Sequence, residues 1–125
     1  MSGRILICDD EPDIAEVLAD RQEASGYDVR VVDCARDCYA AVADEEPDLI
    51  LMDIQMPEIS GIEALEALKA GHPDIPVLMV SASTTQEIAR EVEGKGAEGF
   101  LLKPYEPADL MARVEGILNT PDTSE

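Results

Sequence analysis

The chain has few aromatic residues, a single histidine, little basic charge and no long apolar run. Aromatics make up 3% of its 125 residues and apolar residues 46%, so an aliphatic core of ordinary globular proportions is expected. The length fits one domain, large enough to bury most of its apolar surface. Uninterrupted apolar stretches are only a few residues long, too short to cross a bilayer. Met1, Ser2, Gly3 and Arg4 lead straight into a strand-like segment without a small-residue cleavage site, so a cytoplasmic location is the expectation. Cys8, Cys34 and Cys38 are odd in number and lack framework spacing, which favours free, buried thiols. Cys34 and Cys38 stand four apart and could share a helix face as metal ligands. His72, however, lies far along the chain in a Gly-His-Pro loop, and no zinc constellation is visible. Nine basic residues against 28 acidic ones give a net charge of −19. That charge argues against direct binding to nucleic acid or to an anionic membrane. It suits a basic partner surface or, more simply, a solubility or salt-adapted surface.

What is present is a set of short apolar runs, at 5–8, 49–52, 77–80 and 100–102. They end on Asp9 and Asp10, on Asp53, on Ser81 and on Lys103. Runs this short and continuous suit strands of a parallel sheet buried on both faces. Between them lie helical patterns. Pro12 opens the first, with Ile14, Val17 and Leu18 at helical spacing, and Gly26 closes it. Val29, Arg30, Val31 and Val32 form a further strand, whose interposed Arg30 fits an edge. An alanine-rich helix over 35–44 carries Cys38 and Val42 on one face. The third helix carries Ile62, Leu65 and Leu68. The fourth, which Ser83 or Thr84 could cap, has only a thin apolar face, Ile88 and Val92. Pro107 opens the fifth, with Leu110, Val114, Ile117 and Leu118 along its buried side. Strands and helices alternating at this spacing predict an α/β fold: a doubly wound, flavodoxin-like five-stranded parallel sheet, (βα)5, in the order 2-1-3-4-5. Its switch point lies between the strands that end at Asp9-Asp10 and at Asp53, where ligands of such sheets bind.

Three carboxylates at one rim repel one another and call for a cation. Oxygen ligands with room for water suit Mg²⁺. A carboxylate can also be a nucleophile toward phosphorus, and Asp53, alone at the end of the most apolar strand, is the candidate. Asp9 and Asp10 are the candidate metal holders. Lys103 and the Ser81 hydroxyl would each meet an oxygen of a transferring phosphoryl group. Cys8 precedes Asp9, but strand alternation should turn its side chain the other way. Singly, each position has an ordinary explanation, since Asp at a strand end is commonly a helix cap or turn residue. Together, in this order at successive strand ends, they describe a phosphoryl-transfer site.

These residues resemble the receiver domains of two-component response regulators, including single-domain chemotaxis regulators. The resemblance rests on Asp9-Asp10, Asp53, Met56-Pro57, Gly61, Ser81-Ala82 and Lys103-Pro104, and it spans 4–119. It divides the chain into a receiver domain over 1–119 and a frayed acidic tail over 120–125. It implies that Asp53 accepts a phosphoryl group from a phosphohistidine on a sensor histidine kinase or a histidine phosphotransfer protein. It implies Mg²⁺ held by Asp10, Asp53 and the backbone carbonyl of Gln55, with Asp9 acting indirectly. Lys103 would pair with the phosphoryl group and be joined to Pro104 by a cis peptide bond. Ser81 and Phe100 would be the switch pair, Phe100 lacking the hydroxyl often found there. Gln55 and Ser83 stand where the family tunes the phosphoryl lifetime. Ser60 replaces the usual Asp or Asn, a change expected only to alter the turn, and Tyr105 is expected to pack.

The resemblance further implies a signalling protein that catalyses only its own phosphorylation and dephosphorylation. Its fourth helix, fifth strand and fifth helix would read out to a downstream effector or a covalent output domain, and that face is available for a homodimer. The tail is too short and acidic to bind DNA, so no direct nucleic-acid or membrane binding is expected. Two other classes compete. A haloacid-dehalogenase-type hydrolase would want an acid where Gln55 stands, and a flavodoxin-like binding module would want a phosphate loop where Asp9, Asp10 and Glu11 stand.

Overall fold

Strands β1 (Arg4–Cys8), β2 (Asp28–Val32), β3 (Leu49–Asp53), β4 (Val77–Ser81) and β5 (Gly99–Leu102) form one parallel sheet in the order β2-β1-β3-β4-β5. The computed structural model describes residues 3–10, 26–56, 58–81, 86–102 and 107–118. The helices among them are α1 (Ala35–Asp44), α2 (Gly61–Gly71), α3 (Gln86–Gly94) and α4 (Pro107–Leu118), the second to fifth of the sequence pattern. The helix expected after Pro12, the cap at Ser83 or Thr84, Pro57, Ala82, the Lys103-Pro104 bond with its cis geometry, Tyr105 and the tail lie outside the described residues.

The sheet has the expected doubly wound order, and the burial of each strand follows from its place. β3 and β4 are buried at every position and β1 at every position after Arg4. Full burial of a leucine or isoleucine contributes roughly 1.5–3 kcal/mol each, so these runs supply the centre of the core. Alternation divides it in two. Leu6, Cys8, Ile50, Met52 and Met79 face α1, α2 and Val92 of α3. Ile5, Ile7, Leu49, Leu51 and Leu78 face Leu110 and Val114 of α4. Edge strand β2 has no buried position, each residue being exposed or half-buried, and carries Asp28 and Arg30, charges that discourage a further strand from pairing.

Helix α3 buries only Val92, as its thin apolar stripe predicts, with Ile88 packed at the margin. Helix α2 is better fixed. Its N-cap is Ser60, whose hydroxyl accepts from the Glu63 N–H at 3.3 Å while the Ser60 N–H donates to Glu63 Oε1 at 3.2 Å. This reciprocal capping box is typically worth about 1 kcal/mol. Ser60 therefore does more than alter a turn: it starts the helix that follows Asp53.

Candidate functional site

The carboxyl rim gathers the acidic residues. Asp9 and Asp53 are each 4% exposed, Asp10 is exposed, and Ser81 is fully buried at the end of β4. Asp9, Asp10 and Asp53 each place a carboxylate oxygen within 4.8 Å of the others. Unit charges this close repel by about 1 kcal/mol in water and about 4 kcal/mol at the effective dielectric of a protein surface. Such a set is suited to a hard cation with oxygen ligands. Asp33, Cys34 and Asp37 also approach one another at the start of α1, but they are exposed or half-exposed and suit a solvated helix end.

The backbone opens this crevice in a definite way. Pairing of β1 with β3 runs only as far as Cys8 opposite Met52. Beyond that, the Asp9 N–H donates to the Val32 carbonyl on one side (3.1 Å), and the Ile54 N–H donates to the Val80 carbonyl on the other (3.0 Å). Regular pairing of the two central strands thus ends just below the acids, which their two ends carry. The Gln55 N–H donates to Asp53 Oδ1 at 3.1 Å and orients that carboxylate.

The segment after Asp53 turns sharply back. The Gly61 N–H donates to the Ile54 carbonyl at 2.7 Å. A Cβ built on Gly61 would lie 2.1 Å from the Asp53 carbonyl oxygen and 2.7 Å from Ile54 Cα. Only glycine fits this approach. Within the turn, Glu58 takes a left-handed backbone with φ of 69°, a conformation that costs a non-glycine residue about 1–2 kcal/mol.

Among the other expected site residues, Phe100 is half-buried, opposite Met79 in the sheet and packed on the α1–α3 side of the core. Leu102, opposite Ser81, is 50% exposed at the end of β5. Gln55 is exposed. Lys103 and Ser83 lie outside the described residues. Cys8 turns away from Asp9 as alternation requires, and its thiol touches Met56 Sδ at 3.2 Å and the Cys34 carbonyl at 3.5 Å. A hydrogen bond with Cys38, and then burial, push the Cys8 thiol above its ordinary range. All three cysteines are free, with Cys8 and Cys38 buried as expected and Cys34 half-exposed. The sequence reading missed the contacts of Cys8, whose one signal was its place just before Asp9. It also missed the capping role of Ser60, although Ser-x-x-Glu was there to be read.

A doubly wound parallel sheet with acids on both sides of its switch point defines a class, and comparison with known proteins names it. The sequence pattern of the response regulator receiver domain matches residues 5–115, and the chain belongs to that family. It is 34% identical over 119 residues to the DNA-binding response regulator MtrA of Mycolicibacterium smegmatis, covering 94% of this chain and 51% of that protein. It is 35% identical over 116 residues to the phosphate regulon transcriptional regulatory protein PhoB of Pseudomonas aeruginosa, covering 91% and 51%. Among solved structures, a CheY-like receiver domain protein of Methanospirillum hungatei superposes with a TM-score of 0.93 at 28% identity, covering all of both chains. The family match sets aside the hydrolase and the binding module as classes for this fold.

The chain spans about half the length of the curated relatives it matches. This corrects the expectation of no direct nucleic-acid binding, because MtrA is by name a DNA-binding regulator. The net charge of −19 describes 125 residues, whereas such relatives carry as much chain again. Among the described residues, no helix is long and apolar enough to cross a membrane.

Proposed function

We propose that this receiver domain accepts a phosphoryl group on Asp53 from the phosphohistidine of a sensor histidine kinase or a histidine phosphotransfer protein, with Mg²⁺ as cofactor, in the cytoplasm. The observation that carries this reading is the trio of carboxylates within 4.8 Å of one another, two of them buried. An oxygen-only set of this charge fits a magnesium ion. Asp10, Asp53 and the Gln55 carbonyl would hold it, with Asp9 acting through water. Bound there, Mg²⁺ supplies charge neutralisation to the carboxylates and to the phosphoryl oxygens.

The remaining steps belong to the chain. An Asp53 oxygen attacks phosphorus, the phosphorus–nitrogen bond of the donor breaks, and the imidazole nitrogen keeps the electron pair. The product is an acyl phosphate on Asp53. The Gln55 N–H keeps the carboxylate oriented for attack. Ser81 and Lys103 meet the phosphoryl oxygens, and water later releases phosphate, so the domain's catalysis acts on itself alone. Gln55 and Ser83 set how long the phosphoryl group survives. Ser81 and Phe100 convey its presence to the face of α3, β5 and α4, where Val92 is the one buried residue anchoring α3. That face controls a downstream effector protein or a covalently attached output segment, and is the surface for any homodimer. The names of the relatives favour an output directed at DNA.

The test is incorporation of phosphate. With Mg²⁺ and acetyl phosphate, the protein gains one hydroxylamine-labile phosphate, and Asp53→Asn gains none. Equal incorporation by Asp53→Asn would overturn the assignment.

A further inference from the structure

The acids stand on two separate strand ends, beyond the last β1–β3 pair, and one side-chain contact joins those ends behind them. The end of β1 is tied by its backbone to β2 through Asp9 and Val32, and the end of β3 to β4 through Ile54 and Val80. Their mutual ladder stops at Cys8 and Met52. Beyond that point, Cys8 Sγ lies 3.2 Å from Met56 Sδ. Cys8 is the fully buried last residue of β1, immediately before the Asp9-Asp10 pair. Met56 belongs to the segment that leaves Asp53 and packs, half-buried, on the same core cluster. The thiol also reaches the Cys34 carbonyl at the start of α1. One sulfur therefore touches the two segments that carry the acids and the helix that packs beneath them.

We propose that Cys8 is a positioning residue of the acidic site: through Met56 it fixes the segment after Asp53 against the end of β1, and so sets the spacing between Asp53 and the Asp9-Asp10 pair. A thiol is a weak donor and a thioether a weak acceptor, so the contact acts by limiting how far the two ends can separate. Its consequence for Mg²⁺ rests on the reading given above, whereas the tie itself does not.

The test is a double-mutant cycle of Cys8→Ala and Met56→Leu, with Cys8→Ser as the variant that keeps a donor. In metal-free protein, amide hydrogen exchange at Gln55 accelerates in both single variants and in the double variant to the same extent. In Mg²⁺ titrations by calorimetry, each single variant binds about tenfold more weakly, the low end for groups that orient metal ligands from behind. The double variant is no weaker than Cys8→Ala, and Cys8→Ser stays within about twofold of wild type. Additive effects, or a fall in melting temperature with Gln55 exchange unchanged, would make Cys8 a packing residue and overturn the proposal. If the wild type itself binds no Mg²⁺, the metal reading fails, and the exchange measurements still decide the tie.

Discussion

The two rims of the sheet group their acids differently. At the amino rim, acids meet bases: Arg4 with Glu45, Arg30 with Asp44, Lys69 with Glu98, and His72 with Glu46. All of these groups but Lys69 are more than a third exposed, so the pairs are solvated and weakly coupled. Lys69, the least exposed of them, also donates to the Ile75 carbonyl at 2.8 Å and fastens the turn before β4. At the carboxyl rim, Asp9, Asp10 and Asp53 are brought together with like sign, and two of the three are buried. The amino rim is arranged for the fold. The carboxyl rim gathers three carboxylates in one place, the grouping that the proposed Mg²⁺ would neutralise.

That contrast can be tested from the largest effect downward. Gly61→Ala forces a Cβ into the Asp53 carbonyl and should cost at least ~3 kcal/mol in urea denaturation, as disruption of a tight backbone approach does. A loss below ~1 kcal/mol would mean that the turn has slack. Next, Mg²⁺ at a hundred times its dissociation constant should stabilise the wild type by about 2.7 kcal/mol. Asp53→Asn should respond far less. Thermal melts with and without Mg²⁺ read both arms, and an unchanged metal response would detach Asp53 from the site.

Alkaline pH acts on the same rim. The folded Cys8 thiol titrates above its ordinary value of 9.0. Its contribution is therefore complete below pH 9 and declines as the unfolded chain releases a proton that the folded one keeps. The slope is up to about 1.4 kcal/mol per pH unit, and Cys8→Ala should flatten it in urea titrations between pH 8.5 and 10. The smallest change belongs to the other rim. Arg30→Ala breaks an exposed pair with Asp44 and should cost less than ~0.5 kcal/mol. A loss as large as that from the carboxyl rim would erase the distinction drawn between the two.

Much of this was legible in the chain because the relevant signals are local. Three of the four apolar runs form buried strands. The fourth, expected to be buried on both faces, is edge strand β5 with only Leu101 buried, because its outer side has no neighbouring strand among the described residues. Arg30 within the remaining strand announced the other edge. Asp53 and Ser81 were read as lying just past their strands and are instead the last strand residues, fully buried. The capping box of Ser60 and Glu63 is equally local, a Ser-x-x-Glu pattern at the start of a helix. The contact of Cys8 with Met56 joins residues 48 positions apart, and no periodicity encodes it.

The sequence by itself determined the alternation of strands and helices, the sheet order and the residues that reach one rim, because hydrophobic period and strand length are properties of neighbouring residues. The tertiary structure alone decided that the acids converge within 4.8 Å, that β1–β3 pairing ends beneath them, and that a thiol reaches Met56 there. Those depend on where each backbone hydrogen bond goes once its strand has ended, and only the packed sheet sets that.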